Sequence, residues 1–148
     1  MIRALILLAA ATADSAGAPP QPEVVCDLTP VLSGHFEGSR FVREELSGSP
    51  AKTVRFTFRD IDPKAGTARL NVEPDTFDQP VAVSVESGAI SYLQEQPGVG
   101  KMVVATQTKP TDQGWPATMS QHGWTAEGSL FIRTATGMCR MRARRAQP

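Results

Sequence analysis

From Thr53 onward, apolar and polar positions alternate with a period of two. Val54, Phe56 and Phe58 interleave with Arg55, Thr57 and Arg59, and Ala68, Leu70 and Val72 with Arg69, Asn71 and Glu73. Successive side chains of a strand point to opposite faces, so each run predicts a strand with one buried face. Asp60-Ile61-Asp62-Pro63-Lys64-Ala65-Gly66 between them is turn material. The pattern predicts an antiparallel hairpin pairing Phe58 with Ala68, Phe56 with Leu70 and Val54 with Val72. Its other face would set Arg55 near Asn71 and diagonal to Glu73.

Shorter runs of the same kind surround this hairpin. Val31–Glu37 and Arg40–Leu46 flank Gly38-Ser39, and Val81–Glu86 and Ala89–Gln94 flank Ser87-Gly88. Lys101–Gln107, Ala117–His122, Ser129–Thr134 and Met138–Arg142 follow. No window carries a capped amphipathic helix, although Arg43-Glu44-Glu45-Leu46 would allow one helical turn within 41–47. About eight or nine short strands with hairpin-length links predict an all-β, antiparallel meander. Such a meander closes most simply into an up-and-down β-barrel, which removes exposed sheet edges and is preferred here to a two-sheet sandwich.

The first residues break the pattern. Met1-Ile2-Arg3 carries one positive charge, Ala4–Ala11 is unbroken apolar sequence, and small residues follow. That order is the signature of a secretory signal, and the apolar run is too short to span a bilayer. Cleavage after Ala13 is preferred to cleavage after Ala18, which would leave Pro19 directly behind the cut. Residues 1–13 thus read as a signal peptide, 14–23 as a flexible arm, 24–142 as one β domain and 143–148 as a basic tail. The protein is expected in the periplasm or secreted, with no transmembrane segment in the mature chain.

Export changes the meaning of the two cysteines, Cys26 and Cys139. In an oxidising compartment such a pair reads as a disulfide, and neither has the Cys-x-x-Cys partner of a redox site. A bridge joining the ends of the meander would make its first and last elements neighbours.

Charge and chemistry narrow the function mainly by exclusion. Of 148 residues, Lys and Arg account for 15 and Asp and Glu for 15, so no global charge favours nucleic acid or membrane lipid. Two histidines, His35 and His122, do not make a metal-ligand pattern, and no cofactor motif is present. Ser120 and His122 share a strand face without a nucleophile elbow. Asp60 and Asp62 begin like a calcium loop that Lys64 interrupts. Glu44 and Glu45 are adjacent and would point to opposite faces of a strand. Arg133, Arg140, Arg142, Arg144 and Arg145 concentrate near the C-terminus, where Arg140 and Arg142 alternate with Cys139 and Met141 as on a solvated strand face. Trp115 and Trp124 bracket one strand, and a tryptophan at a barrel mouth can stack on a ring-shaped ligand.

Between Ile90 and Arg142, the segments Gln94-Glu95-Gln96, Ser120-Gln121-His122 and Gly137-Met138-Cys139 resemble a group of small exported bacterial proteins of unknown function. The resemblance implies a secreted β protein and carries over no site residues. Avidin-like and lipocalin barrels share the expected architecture. The lipocalin Gly-x-Trp entrance is replaced here by Gly34-His35-Phe36. The resulting expectation is a non-enzymatic protein that binds a small apolar or ring-shaped ligand at a barrel mouth, near Trp115 and Trp124. The alternative is a protein-interaction module, such as an inhibitor of exported hydrolases, working through residues 14–23.

Overall fold

The computed structural model describes residues 22–46, 52–74, 78–98 and 100–143. Nine antiparallel strands and, among the described residues, no helix make up the fold: β1 (Glu23–Glu37), β2 (Arg40–Arg43), β3 (Val54–Asp62), β4 (Thr67–Glu73), β5 (Gln79–Glu86), β6 (Ala89–Gln96), β7 (Gly100–Gln107), β8 (Trp115–Trp124) and β9 (Leu130–Arg142). From β3 to β9 each strand pairs with the next, and β9 returns to pair with β1. Strand β1 therefore holds β9 along one edge. Its other edge holds β3 at Val24–Leu28 and then β2 at Gly34–Glu37. Eight strands, β1 and β3–β9, close an up-and-down barrel, and β2 extends the wall beyond the end of β3.

Alternation fills the interior. Leu28, Phe56, Phe58, Leu70, Val81, Val83, Tyr92 and Val104 are buried in one continuous core. Across the middle of the barrel the Phe58 and Tyr92 rings stack at 3.8 Å between centroids. Burial in this apolar layer pushes the Tyr92 phenol up to about 12.

The seam between β1 and β9 runs from Glu23–Arg142 to His35–Phe131. On its inner face Cys26 and Cys139 lie directly opposite and form a fully buried disulfide. On its outer face the Asp27 carboxylate accepts from Arg55 Nε on β3 at 2.7 Å and from Arg140 Nη2 on β9 at 2.9 Å. One carboxylate thus bridges three strands, and the Arg55 hydrogen bond holds its carboxyl below the usual value. A second outer pair, Arg142 with Glu23 at 2.9 Å, closes the last turn of the seam. Gly137 lets the strands meet, since a Cβ there would strike the Asp27 carbonyl oxygen. Between Pro30 and Leu32 the register shifts by one residue, and Val31 is left exposed on the bulge.

The structure corrects several expectations. In the β3–β4 hairpin the predicted face is right but the register slides by two residues: Phe58 opposes Leu70 and Phe56 opposes Val72. The cause lies in the turn. Asp62 Oδ1 accepts the backbone N–H of Lys64 and of Ala65, and Gly66 supplies a φ of 70°. This four-residue tip moves the pairing, and a bulge at Asp60, with a φ of 50°, restores the faces. Arg55 consequently opposes Glu73 directly, with 3.8 Å between Nη1 and Oε2.

Two runs read as separate strands, Ser129–Thr134 and Met138–Arg142, are one strand, because Gly137 pairs with both β1 and β8 without interrupting either ladder. Strand β1 begins far upstream of Val31, because Val24, Cys26 and Leu28 pair with β3 and β9. The possible turn of helix at 41–47 is extended through Arg43 because β2 pairs with β1. The predicted signal peptide 1–13, residues 14–21 of the predicted arm, and 144–148 of the predicted tail lie outside the described residues.

Two outcomes follow from the seam. Replacing both half-cystines, Cys26→Ala with Cys139→Ala, frees a loop of sequence separation 113. By the chain-entropy argument it should lower unfolding stability by about 4–5 kcal/mol, read from urea midpoints. Asp27→Asn removes a carboxylate whose folded pKa lies below its ordinary 3.8. The native Asp27 contribution is complete above that ordinary value and is lost as pH falls through the lowered one. Asp27→Asn should cost about 1–2 kcal/mol at neutral pH. The gap to wild type should close in acid, measured as urea midpoints across pH.

Candidate functional site

The meander sorts its connections between two ends. The β3–β4, β5–β6 and β7–β8 turns share an end with the disulfide, while the last residues of β4, β6 and β8 lie at the other. The far end opens into a cavity of about 660 Å³. Inward periodicity builds it. On β3 and β4 the inward residues Val54, Phe56, Leu70 and Val72 form apolar wall. On β7 and β8 Met102 and Met119 add two flexible thioether side chains, which adapt to irregular shapes.

Toward the mouth the inward positions of β6 and β8 turn from apolar to carboxamide. Strand β6 runs inward as Ile90, Tyr92, Gln94 and Gln96, and β8 as Trp115, Ala117, Met119 and Gln121. Gln94 and Gln121 flank Met102 in register on three adjacent strands. Gln79 completes the group from β5, and Gln96 Nε2 stands 3.5 Å from its Oε1. Each carboxamide offers two donors and an acceptor oxygen but no titratable proton.

The charged part of the mouth is held by β1. Ser33 Oγ donates to Glu44 Oε2 at 2.6 Å, and His35 Nδ1 lies 3.5 Å from Glu44 Oε1. The Ser33 hydrogen bond, with help from His35 and Arg133, draws the Glu44 carboxyl below its usual value. Arg133 reaches the same mouth from β9, with its guanidinium 5.2 Å from the centre of the Phe131 ring. Lys52 and Glu45 complete the rim.

A smaller cavity of about 210 Å³ lies at the disulfide end, lined by Val24, Ile90, Tyr92, Thr106, Trp115 and Met141 among others. Trp115 is thus a wall residue of this second cavity. Trp124 is not its partner. Nine positions along β8 carry it to the other end of the barrel, and the odd offset turns it outward, where it is 59% exposed. The two tryptophans do not form one mouth.

The other sequence candidates are also dispersed. Ser120 and His122 face outward on β8, opposite Thr134 and Ile132. His35 lies between Glu37, at 3.6 Å, and Glu44. Asp62 serves the turn described above. Arg140 and Arg142 are held by Asp27 and Glu23. Among the described residues no group of three or more His, Cys, Asp and Glu side chains could hold a metal ion.

The inward glutamines of the large mouth, Gln94, Gln96 and Gln121, are not singled out by the sequence reading, because polar strand positions read as solvent-facing. The signal was present. They fall on the same parity as Tyr92 and Met119, so the alternation already assigns them to the interior. No family model matches this chain, and no curated protein is significantly similar to it.

Proposed function

We propose that this protein is an exported, non-enzymatic binding protein that holds one small amphipathic molecule in the large cavity, with its apolar body against Phe56, Leu70, Met102 and Met119 and its polar end among the glutamines. The observation that carries this reading is the cavity itself: about 660 Å³, within the usual range of small-molecule sites, with an apolar depth and a wall of carboxamides. The glutamine carboxamides offer hydrogen-bond donors and acceptors to the polar end of the ligand, and Glu44, Glu45, Lys52 and Arg133 stand at the same mouth. The signal-like residues 1–13 support export, and the buried Cys26–Cys139 disulfide is consistent with an oxidising compartment. The outer wall supports a barrel in water. It carries Asp27, Arg55, Arg140 and the Arg59–Asp78–Arg69 cluster, the reverse of a membrane-spanning barrel with an apolar exterior.

Calorimetric titration with n-octyl β-glucoside below its micelle threshold tests this reading. Val72→Trp and Met119→Trp each place a large ring in the cavity and should weaken binding by about tenfold or more. Trp124→Phe, on the outer surface, should leave it unchanged. Binding that ignores both cavity substitutions, or that is lost with Trp124→Phe, would contradict the site.

A further inference from the structure

The two cavities share no lining residue. Following each strand inward shows why. On β7, Met102 belongs to the large cavity, Val104 to neither and Thr106 to the small one. On β8, Met119 belongs to the large cavity, Ala117 to neither and Trp115 to the small one. Leu28, Phe58, Val104, Ala117 and Ala135, all buried, form the layer between them. The small cavity is therefore a separate compartment with its own mouth.

Its walls define what it can take. Tyr92 and Trp115 supply ring surfaces, and Val24, Ile90 and Met141 supply aliphatic ones. At about 210 Å³ it exceeds the roughly 150 Å³ apolar cavity that suffices to hold benzene. Thr106 occupies an inward position on β7, where Met102 and Val104 precede it, and is only 5% exposed. Among the described residues its hydroxyl makes one hydrogen bond, donated to the Gln107 carbonyl at 3.3 Å. Its lone pairs remain able to accept. The neighbouring Thr108 hydroxyl, which donates to the Gly88 carbonyl at 2.9 Å, belongs to an exposed residue and can be served by water.

We propose that the small cavity is a second binding site, for a single aromatic ring bearing one hydrogen-bond donor, with the ring against Trp115 and Tyr92 and the donor on Thr106 Oγ1. Aromatic rings pack favourably edge-to-face or offset on such walls, and a donor on the ring answers the buried Thr106 hydroxyl oxygen. Nothing in this assignment depends on the amphiphile reading of the far end.

Phenol and anisole separate the two contributions, because they share a ring and only phenol donates. In ¹⁵N-labelled protein, phenol should shift the Trp115 Nε1–H resonance saturably in the millimolar range, where a fragment of that size belongs, and leave that of Trp124 in place. Anisole should bind more weakly by about three- to tenfold, the worth of one hydrogen bond. Thr106→Val preserves shape and should reduce phenol to the level of anisole without altering anisole. Ile90→Phe fills the cavity and should abolish both. A Trp115 resonance that neither ligand moves would overturn the site. Equal affinity for the two ligands, unchanged by Thr106→Val, would overturn the donor-specific assignment.

Discussion

Closure of β1 on β9 is the constraint on which the rest of this structure depends. A meander of strands has two edges, and pairing the first strand with the last removes both while enclosing an interior. This seam is fastened on both faces at one level. The disulfide lies inside, and the Asp27 carboxylate lies outside, between Arg55 and Arg140. The two fastenings are physically different. The covalent link limits the unfolded chain, whereas the carboxylate bridge acts in the folded state and responds to acid. Gly137 is the steric condition for both, because a side chain there would hold β9 away from the Asp27 carbonyl.

Once closed, eight strands enclose an interior that side chains can nearly fill or that can hold one small ligand. This barrel is filled across its middle and hollow toward its ends. The Phe58–Tyr92 stack and the buried aliphatics around it make a solid waist, and each end is less completely filled. The chemistry of each end follows from the residues that continue the inward alternation past the waist. Toward the far end β6 and β8 continue with glutamine; toward the disulfide end β7 continues with threonine and β8 with tryptophan. A polar residue on an inward parity is costly to bury without a partner, which makes such positions the informative ones.

Much of the fold was legible along the chain because period-two alternation is local and the cysteine pair joins the ends. The all-β class and the closed barrel needed no more than that. Register was less legible. The β3–β4 hairpin moved by two residues because Asp62 caps a four-residue turn and Asp60 takes up the extra residue, a choice between nearly equivalent turns. The long reach of β1 was hidden by Val25, an apolar residue on the outer face flanked by Thr57 and Arg140. The candidate site was least legible. Trp115 and Trp124 drew attention as aromatics, yet an odd spacing along one strand sends them to opposite faces as well as opposite ends. The glutamines carried the correct parity and were overlooked because polarity was read ahead of periodicity. Ser33 and Glu44, which approach across the β1–β2 hairpin, could not be paired without its register.

The central claim is that the interior of the closed barrel is a place for a ligand. Intermolecular nuclear Overhauser contacts with bound octyl glucoside test it most directly. The account predicts contacts from the octyl chain to the methyl groups of Met102 and Met119, and from the sugar to the side-chain amides of Gln94 and Gln121. Contacts confined to residues on the outside of the wall, such as Val31 and Trp124, would contradict it.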